Sequence, residues 1–420
     1  MNRTEGPGRR DAAGIWMDDP AHRAFLIRDA HRALDFFDAS PRARGGFHTL
    51  DAAGNPLPSG VQELHTTTRL VHSYALARMA GRPDGAGIID QGMDYLWRRH
   101  RDPRHGGYVW SLDGAAVADG TKLAYGHVFV MLAAATARQA GHPDADRLLT
   151  DIAGVLDQYY WDEARGLLRD EFTRDWQPFS TYRGMNANMH GVEALLAAHE
   201  ATGEAEYLSR AGRILAFFIA GQASAHGWRI PEHYTGDWRP DHAYAGNPMF
   251  RPAGTTPGHS FEMARLLLQW WDLAGRPGGG APVQARQLVE TALSDAWSAG
   301  DGGLAYTLNP DGGIDNAARY WWPVTEAIGA LAALIKLSRQ AGDETWYRRL
   351  WVHADRHLID HQAGGWFPEA RRGRQPGSSQ FSGKPDIYHA LQADLLALAP
   401  GLSRMAAALV VGAPLAPAKP

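Results

Sequence analysis

Hydrophobic and polar residues follow two distinct helical patterns along this chain. In the first, apolar residues lie three or four positions apart with charged residues between them, as in residues 22–29 and 207–215. This pattern is typical of a helix with one solvated face. In the second, nearly every position is apolar, as in residues 191–198 and 327–335, so the helix must be buried on most sides. Several helices are predicted to end at a glycine, the residue that best adopts a left-handed backbone: Gly81, Gly141, Gly203 and Gly275.

A glycine followed by an aromatic residue or leucine recurs six times, each time between a helix of the first kind and one of the second. These glycines are residues 46, 107, 166, 227, 303 and 365, so the steps are 61, 59, 61, 76 and 62 residues. A period near sixty accommodates two helices and a turn, and it exceeds the common short helical repeats. The pattern predicts an all-α protein, an (α/α)6 barrel of six helical hairpins. The apolar helices would form its inner ring, with short β-hairpins in the loops.

One barrel with short extensions accounts for the whole length. Residues 20–402 are predicted to form a single catalytic domain, residues 1–19 a flexible N-terminal segment and residues 403–420 a C-terminal tail. The last nine residues, 412–420, are rich in alanine and proline and are expected to fray. A ring of repeats can exceed the usual size of one core because each repeat packs on its neighbours.

Composition and charge exclude several classes of function. The formal net charge of −4 gives no electrostatic basis for binding nucleic acid or an anionic membrane. Charged residues such as Lys336 interrupt every apolar run that could span a bilayer, and residues 1–10 lack the apolar core of a secretory signal. The absence of cysteine excludes disulfides and thiolate metal sites. These features favour a cytoplasmic protein.

Polar side chains recur at the start of the apolar helices. In a ring of parallel inner helices these positions would converge at one mouth of the barrel, and burying so many polar groups without a ligand or water is expensive. The pattern therefore predicts a functional cavity. Its candidates are Arg69, His72, Tyr125, His127, Asn186, Asn188, His190, His259, Glu262, Trp321, Trp322, Glu326, Lys384, Asp386, Tyr388 and His389.

His259 and Glu262 form the sharpest pair among these candidates. Residues three apart share one face of a helix, so the carboxylate is expected to hold one imidazole nitrogen and leave the other as a general base. His389, from the sixth inner helix, is expected to face this pair as the complementary acid. Arg69 and Arg251 can stabilise an enolate as it forms.

Aromatic residues and one long loop indicate a sugar as the ligand. Flat faces for a sugar ring are offered by Trp110, Tyr125, Trp322 and Trp366. The extra length of the longest repeat step, from residue 227 to residue 303, falls in residues 231–256, a loop directly before His259 that is well placed to cover the mouth.

No metal or other cofactor is predicted. The sequence His-x-x-Glu occurs at residues 190–193 and 259–262, but neither matches the zinc signature His-Glu-x-x-His. Histidines alone suffice for moving protons between neighbouring carbons.

Five segments, in this order, resemble the N-acylglucosamine 2-epimerase superfamily: residues 66–69, 186–190, 251–252 with 257–262, 319–323 and 384–390. The resemblance covers about residues 20–402. It implies an (α/α)6 barrel that rearranges carbons 1 and 2 of aldoses and ketoses, and it implies that His259 and His389 carry the proton transfers.

The same resemblance implies roles for further residues of the pocket. Catalytic residues beside the two histidines would be Arg69, His190 and Glu262. Substrate-contacting positions are matched by Tyr125, Asn186, Arg251 and Trp322. We expect two polar residues at the start of the fifth and sixth inner helices, Glu326 and Asp386, to bind substrate as well.

Residues 383–389 resemble the branch of mannose and sulfoquinovose isomerases. Cellobiose 2-epimerases carry a tryptophan a few residues before the histidine, where this chain has Gly383, Lys384 and Pro385. The branch implies an enzyme, a monomer or homodimer, that interconverts free D-mannose and D-fructose through a cis-enediol. D-Lyxose and D-xylulose are a second candidate pair of monosaccharides.

Four alternatives stay open at the level of sequence. An aldose 2-epimerase of the mannose/glucose or cellobiose type would return the proton to the opposite face of carbon 2, and a sulfoquinovose isomerase would need further cationic groups. A glycoside hydrolase would need two carboxylates, with Glu262, Glu326 and Asp386 as candidates. A sugar-binding scaffold would bind ligand without turnover.

Overall fold

The computed structural model describes residues 14–244, 246, 251–298, 300, 302–370 and 380–417. Its helices alternate between an inner and an outer layer. The inner layer is formed by α2 (Leu64–Met79), α4 (Ala124–Gln139), α6 (Met185–Thr202), α8 (Pro257–Leu273), α10 (Trp321–Ser338) and α12 (Tyr388–Leu398). The outer layer is formed by α1 (Pro20–Phe37), α3 (Ala86–Tyr95), α5 (Ala145–Val155), α7 (Ala205–Leu215), α9 (Ala281–Ala296) and α11 (Ala341–His357). Three outer helices, α3, α5 and α7, continue as π-helical turns over Leu96–His100, Leu156–Tyr160 and Ala216–Ala223.

The inner helices close into a ring. Each contacts the next, in the order α2, α4, α6, α8, α10, α12 and back to α2, and an outer helix packs on every one. Helices with neighbours on both sides and a cover outside keep little exposed surface, which is why their sequences are apolar at nearly every position. The predicted (α/α)6 barrel is confirmed. No helix in the described ranges is long and apolar enough to cross a membrane.

Short antiparallel strands join the loops at the mouth of the barrel. β1 (Val61–Glu63), β2 (Ser111–Asp113) and β3 (Ala116–Asp119) form one sheet in that order, with Val61 opposite Asp113. The other pairs are β4 (Lys122–Leu123) with β7 (Glu171–Phe172), β5 (Trp161–Asp162) with β6 (Leu167–Leu168), β8 (Arg183–Gly184) with β9 (His233–Tyr234), and β10 (Thr307–Leu308) with β11 (Ile314–Asn316). Three of these pairings, β2–β3, β5–β6 and β10–β11, are local hairpins of the kind expected in the loops.

The repeated glycine signal marks the turn from an outer to an inner helix. All six of its glycines have φ between +61° and +89°, a left-handed conformation that side chains with a Cβ rarely adopt. The residue after the glycine is buried in five of the six turns, the exception being the half-buried Trp228. The signal therefore recurs because each repeat needs the same tight turn with an apolar anchor.

Both ends of the chain are more ordered than predicted where the structure describes them. Residues 16–18, within the segment 1–19 predicted to be flexible, form a 3-10 turn, and the Trp16 N–H donates to Glu344. Residues 1–13 lie outside the described ranges. In the tail, α13 (Met405–Gly412) packs on α2, and the buried Leu415 donates its N–H to the Ala80 carbonyl. The predicted fraying from Gly412 is therefore wrong through Leu415, and residues 418–420 lie outside the description.

Candidate active site

A cavity of about 260 Å³ opens at the mouth where the inner helices begin. Four ionisable residues occupy the same place in four inner helices: Arg69, His190, Glu262 and Glu326 are the sixth residues of α2, α6, α8 and α10. Equivalent positions of equivalent helices lie at one depth in a ring. The repeat thus brings residues from distant parts of the chain into a single layer around the barrel axis.

His259 is oriented by a carboxylate from a neighbouring loop. Its Nδ1 lies 2.9 Å from Oε1 and 3.0 Å from Oε2 of Glu232, which directly precedes β9. Glu232 Oε1 also accepts the Thr256 N–H at 3.1 Å, at the start of α8. Because Nδ1 donates to this carboxylate, Nε2 is left as the free proton acceptor of the imidazole.

His389 has the same arrangement with a different partner. Its Nδ1 lies 2.8 Å from Oε1 of Glu326 on α10. Burial opposes ionisation of Glu326, but the Arg265 charge and the hydrogen bond from His389 more than compensate and lower its pKa. His389 thus also presents Nε2, held by an ionised carboxylate.

Trp322 links the two histidines. Its ring lies 5.0 Å from the His259 ring and 5.9 Å from the His389 ring, centroid to centroid, at interplanar angles of 31° and 34°. Gly258 makes the first approach possible, because a Cβ at that position would collide with the Trp322 ring. The two imidazoles and the indole therefore form one aromatic wall of the cavity.

Arg69 supplies the cation of the cavity wall. Its Nη1 donates to Asp386 Oδ2 at 2.6 Å and its Nη2 to the Tyr125 hydroxyl at 2.8 Å. The guanidinium also lies 4.6 Å from the ring centroid of Phe129. Burial would raise the pKa of Asp386, but the Arg69 charge more than reverses this and the pKa is lowered. Arg69 is thus held rigidly in a charged pair at the cavity.

Beneath the cavity lies a cluster of buried charges around Arg265. One guanidinium nitrogen of Arg265 lies 3.1 Å from Glu326, 3.5 Å from Glu262 and 3.9 Å from Glu193. His190 Nδ1 lies 3.5 Å from Glu262 and 3.7 Å from Glu193. Burial lowers the pKa of His190 to about 4, so the imidazole is neutral near pH 7.

Nine of the eleven predicted site residues line this one cavity: Arg69, Tyr125, Asn186, His190, His259, Glu262, Trp322, Asp386 and His389. Several of their buried polar atoms have no hydrogen-bond partner among the described residues, including Asn186 Oδ1, His190 Nδ1 and both oxygens of Glu262. Unsatisfied buried groups are uncommon in native proteins, so their concentration here indicates a polar ligand.

Two predicted residues do not line the cavity. Glu326 lies behind His389 and contacts it and Arg265 rather than the cavity space, so it positions a histidine and is not placed to bind substrate. Arg251 donates to Glu171 at 2.6 Å and lies over the Tyr182 ring. It lines an adjoining cavity of about 390 Å³ that shares Tyr125 and Asn186 with the first.

The predicted hydrogen bond between Glu262 and His259 is wrong. Although both lie on α8, His259 turns to Glu232, and Glu262 faces His190 and Arg265. Sequence reasoning missed Glu232 because it lies 27 positions from its partner and outside any helical period. It also missed Arg265, which lies one helical turn below Glu262 and which the same three-residue spacing would have suggested, and it considered Glu193 only as part of a metal signature.

Other polar residues near the helix starts face away from the cavity. His127 and Asn188 are the fourth residues of α4 and α6, and they accept the backbone N–H groups of Tyr108 and Leu168 at 3.0 and 2.8 Å. Lys384 forms a buried ion pair with Asp360 at 2.7 Å. Trp366, a predicted sugar platform, donates instead to Asp29 in the outer layer. The loop predicted to cover the mouth contributes Pro252 to the cavity, while residues 245 and 247–250 lie outside the described ranges.

Three residues are close enough to share a metal ion. Ligand atoms of His190, Glu193 and Glu262 lie within 4.8 Å of one another. The Arg265 guanidinium already lies 3.5 Å from Glu262 and 3.9 Å from Glu193, so a divalent cation would meet a like charge. These residues fit the hydrogen-bonded and charged cluster around Arg265 better than a metal centre.

Comparison with known proteins agrees with this geometry. The chain is 40% identical over 403 residues to a D-mannose isomerase from Thermobifida fusca, covering 94% of this chain and 98% of that protein. It is 36% identical to one from Pseudomonas cannabina pv. alisalensis, covering 94% and 97%. A crystal structure of D-mannose isomerase superposes with a TM-score of 0.83 at 31% identity, covering 91% of this chain and 99% of that one.

The family model for N-acylglucosamine 2-epimerase matches residues 45–393. That range contains all six inner helices almost completely, both histidines and both carboxylates that hold them. The chain is an enzyme of the N-acylglucosamine 2-epimerase family.

Proposed function

We propose that this enzyme is an aldose–ketose isomerase that interconverts free D-mannose and D-fructose. The single observation that carries the proposal is the pair of histidines that line one cavity, each held at Nδ1 by a buried carboxylate and each packed on Trp322. Two such imidazoles can take a proton from one carbon and handle a second proton elsewhere on the sugar. The relatives named as D-mannose isomerases support the choice of substrate.

The reaction requires opening of the sugar ring and then proton movements between carbons 2 and 1 and between their oxygens. One histidine assists ring opening by moving a proton between the anomeric hydroxyl and the ring oxygen. A base then removes the proton from carbon 2, and negative charge builds on the carbon-1 oxygen. The hydroxyl proton of the carbon-2 oxygen passes to this neighbouring cis oxygen through the cis-enediol, and the proton on the base is returned to carbon 1 on the same face as the carbon-2 carbonyl forms. Arg69 lies at the cavity wall to stabilise the oxygen that becomes negative, where a preorganised donor is most effective.

The charges of the cavity favour a neutral sugar. Among the described residues that line it, Arg69 is the one lysine or arginine. Asp386 balances its charge, while its Nε has no partner among the described residues and is left to donate to an oxygen of a neutral sugar. A phosphate or sulfonate group needs cationic donors that are not already paired. The cavity of about 260 Å³ is small for a ligand pocket, for which roughly 300–1,000 Å³ is usual, and suits a single sugar ring.

Incubation of the enzyme with a panel of sugars tests the proposal. D-mannose should give D-fructose as the main product, while cellobiose, sulfoquinovose and mannose 6-phosphate should remain unchanged. Separation of the sugars by chromatography identifies each product. Conversion of cellobiose to its 2-epimer, or of sulfoquinovose in preference to mannose, would replace the proposal with the corresponding alternative.

A further inference from the structure

The ion-pair cluster below the cavity has more carboxylates than cations. Glu193, Glu262 and Glu326 come from three different inner helices and surround the single guanidinium of Arg265. All three side chains are at most 9% exposed. Like charges that are buried together cannot all remain ionised at moderate cost, so one carboxyl in such a group keeps its proton.

The hydrogen bonds identify which carboxyl keeps the proton. Glu326 receives the His389 Nδ1–H and a donor from Arg265. Glu193 receives the Tyr388 hydroxyl and the Gln392 amide. Glu262 receives no hydrogen bond within the described residues, and its contacts with Arg265 and His190 are long, at 3.5 Å.

The remaining neighbours of Glu262 do not change this assignment. His190 on α6 is neutral, and Arg69 on α2 is neutralised by Asp386. Burial and the nearby charge of Glu326 raise the pKa of Glu262 well above its usual range, in agreement with the count of hydrogen bonds. Arg265 opposes this rise, but its closest partner is Glu326.

We propose that Glu262 is a neutral carboxylic acid in the working enzyme and donates its O–H to the substrate oxygen that becomes negative in the enediol. Glu262 lines the cavity while its partners Arg265 and Glu193 do not, so its hydrogen is the part of the cluster that a ligand can reach. The inference rests on the proposed isomerisation for the identity of that oxygen.

The chemistry of this donor is a hydrogen bond and not a proton transfer. As the base takes the proton from carbon 2, negative charge moves to the oxygen on carbon 1. The hydrogen bond from Glu262 to this oxygen shortens, and the proton stays on Glu262. Carboxylic acids that burial keeps protonated serve as oxyanion donors in other enzymes. Together with Arg69, Glu262 would give the enediolate two donors.

Substitution by glutamine distinguishes a neutral acid from an ionised carboxylate. Glu262→Gln keeps a neutral donor of the same shape, so kcat should fall by less than about tenfold, whereas Glu262→Ala should lose about 10²–10³-fold, the usual effect of removing one oxyanion donor. The matched control is Glu326→Gln, which neutralises a carboxylate assigned as ionised and should lose more kcat than Glu262→Gln. The proposal would be overturned if kcat fell as much in Glu262→Gln as in Glu262→Ala while circular dichroism showed that both variants are folded.

Infrared spectroscopy tests the protonation state independently of activity. The difference spectrum between wild type and Glu262→Gln at pH 7 should contain the carbonyl band of a protonated carboxylic acid, and only carboxylate bands there would refute the assignment. If the wild type fails to convert mannose, the proposed function fails while this spectrum still decides the state of Glu262. If mannose is converted and the acid band is missing, only the present inference fails.

Discussion

At the scale of single residues, the site depends on two imidazoles with matching partners. Glu232 and Glu326 each accept a hydrogen bond from the Nδ1 of a histidine, at 2.9 and 2.8 Å. This contact fixes the tautomer and the ring orientation, and it stabilises the imidazolium that forms when Nε2 takes a proton. The partners differ in origin, since Glu326 belongs to an inner helix and Glu232 to a loop that β9 ties to β8.

Substitutions of the two histidines should lower activity more than substitutions of the carboxylates that hold them. His259→Asn and His389→Asn remove the imidazoles that we propose transfer protons, so each should lower kcat by about 10²–10⁴-fold. Glu232→Gln leaves His259 in place but removes the negative charge that stabilises its imidazolium form. The fall in kcat should therefore be smaller than in His259→Asn, with little change in KM. The exposed His361 offers a matched control, because His361→Asn changes a histidine in the turn after α11, outside the cavity. A variant of His259 or His389 that is folded and keeps more than roughly a tenth of kcat, a change under about 1.4 kcal/mol, would remove that histidine from the mechanism.

At the scale of helices, two positions of the inner helices have separate tasks. The sixth residue faces the cavity or its floor, as for Arg69 and His190, and the fourth faces the glycine turn of its own repeat, as for His127 and Asn188. A helix turns about 100° per residue, so two residues that are two positions apart point to nearly opposite faces of the helix. The sequence-based alignment by depth alone therefore grouped residues that point in different directions.

Features that depend on local periodicity could be predicted from the sequence, whereas contacts between distant segments could not. The six turns, the two kinds of helix and nine of the cavity residues follow from periodicity and from motifs that are local in the chain. The pairing of His259 with Glu232 does not, because it depends on how a loop folds across the start of α8. Nor could the ends be predicted, because residues 16–18 and Leu415 gain order from contacts with distant residues, Glu344 and Ala80.

The buried His127 should make the barrel sensitive to acid. Its Nε2 accepts the Tyr108 N–H and its Nδ1 donates to the Leu123 carbonyl, and burial lowers its pKa to about 3. The unfolded state, with the usual pKa near 6.5, binds more protons between about pH 3 and 6.5, so His127 costs stability as the pH falls through this range. Asn188 performs the same task in the next repeat without titrating, which makes His127→Asn the natural comparison.

Urea unfolding of wild type and His127→Asn at several pH values measures this effect. The difference in free energy of unfolding should be constant above about pH 6.5 and should shift in favour of His127→Asn below it, by up to about 1.4 kcal/mol per pH unit. A difference that stays constant down to pH 4.5 would show that His127 is not buried as a neutral base.

At the scale of the whole molecule, the site exists only when the ring is closed. Arg69 and Asp386 are 317 positions apart and meet because α12 packs against α2. The His389 partner comes from α10, the His259 partner from the loop before α8, and Tyr125 from α4. Every inner helix therefore contributes to one cavity, and the outer layer keeps those helices in register.

The central claim of the proposed function is that protons move between carbon 2 and carbon 1 of a single sugar in this cavity. An isomerase returns the proton to carbon 1 on the face from which it left carbon 2. An epimerase needs a second acid on the opposite face of carbon 2. The shared wall of His259, Trp322 and His389, with Arg69 on the adjoining helix, is consistent with chemistry on one face.

Nuclear magnetic resonance of the products formed from D-mannose in deuterated water tests this claim most directly. We expect D-fructose as the main product, with deuterium at carbon 1 in part of the molecules, because the proton that the base has taken from carbon 2 exchanges partly with solvent before it is returned. Glucose should be a minor product. Glucose as the main product, with deuterium at carbon 2, would contradict the account and show that this cavity performs epimerisation.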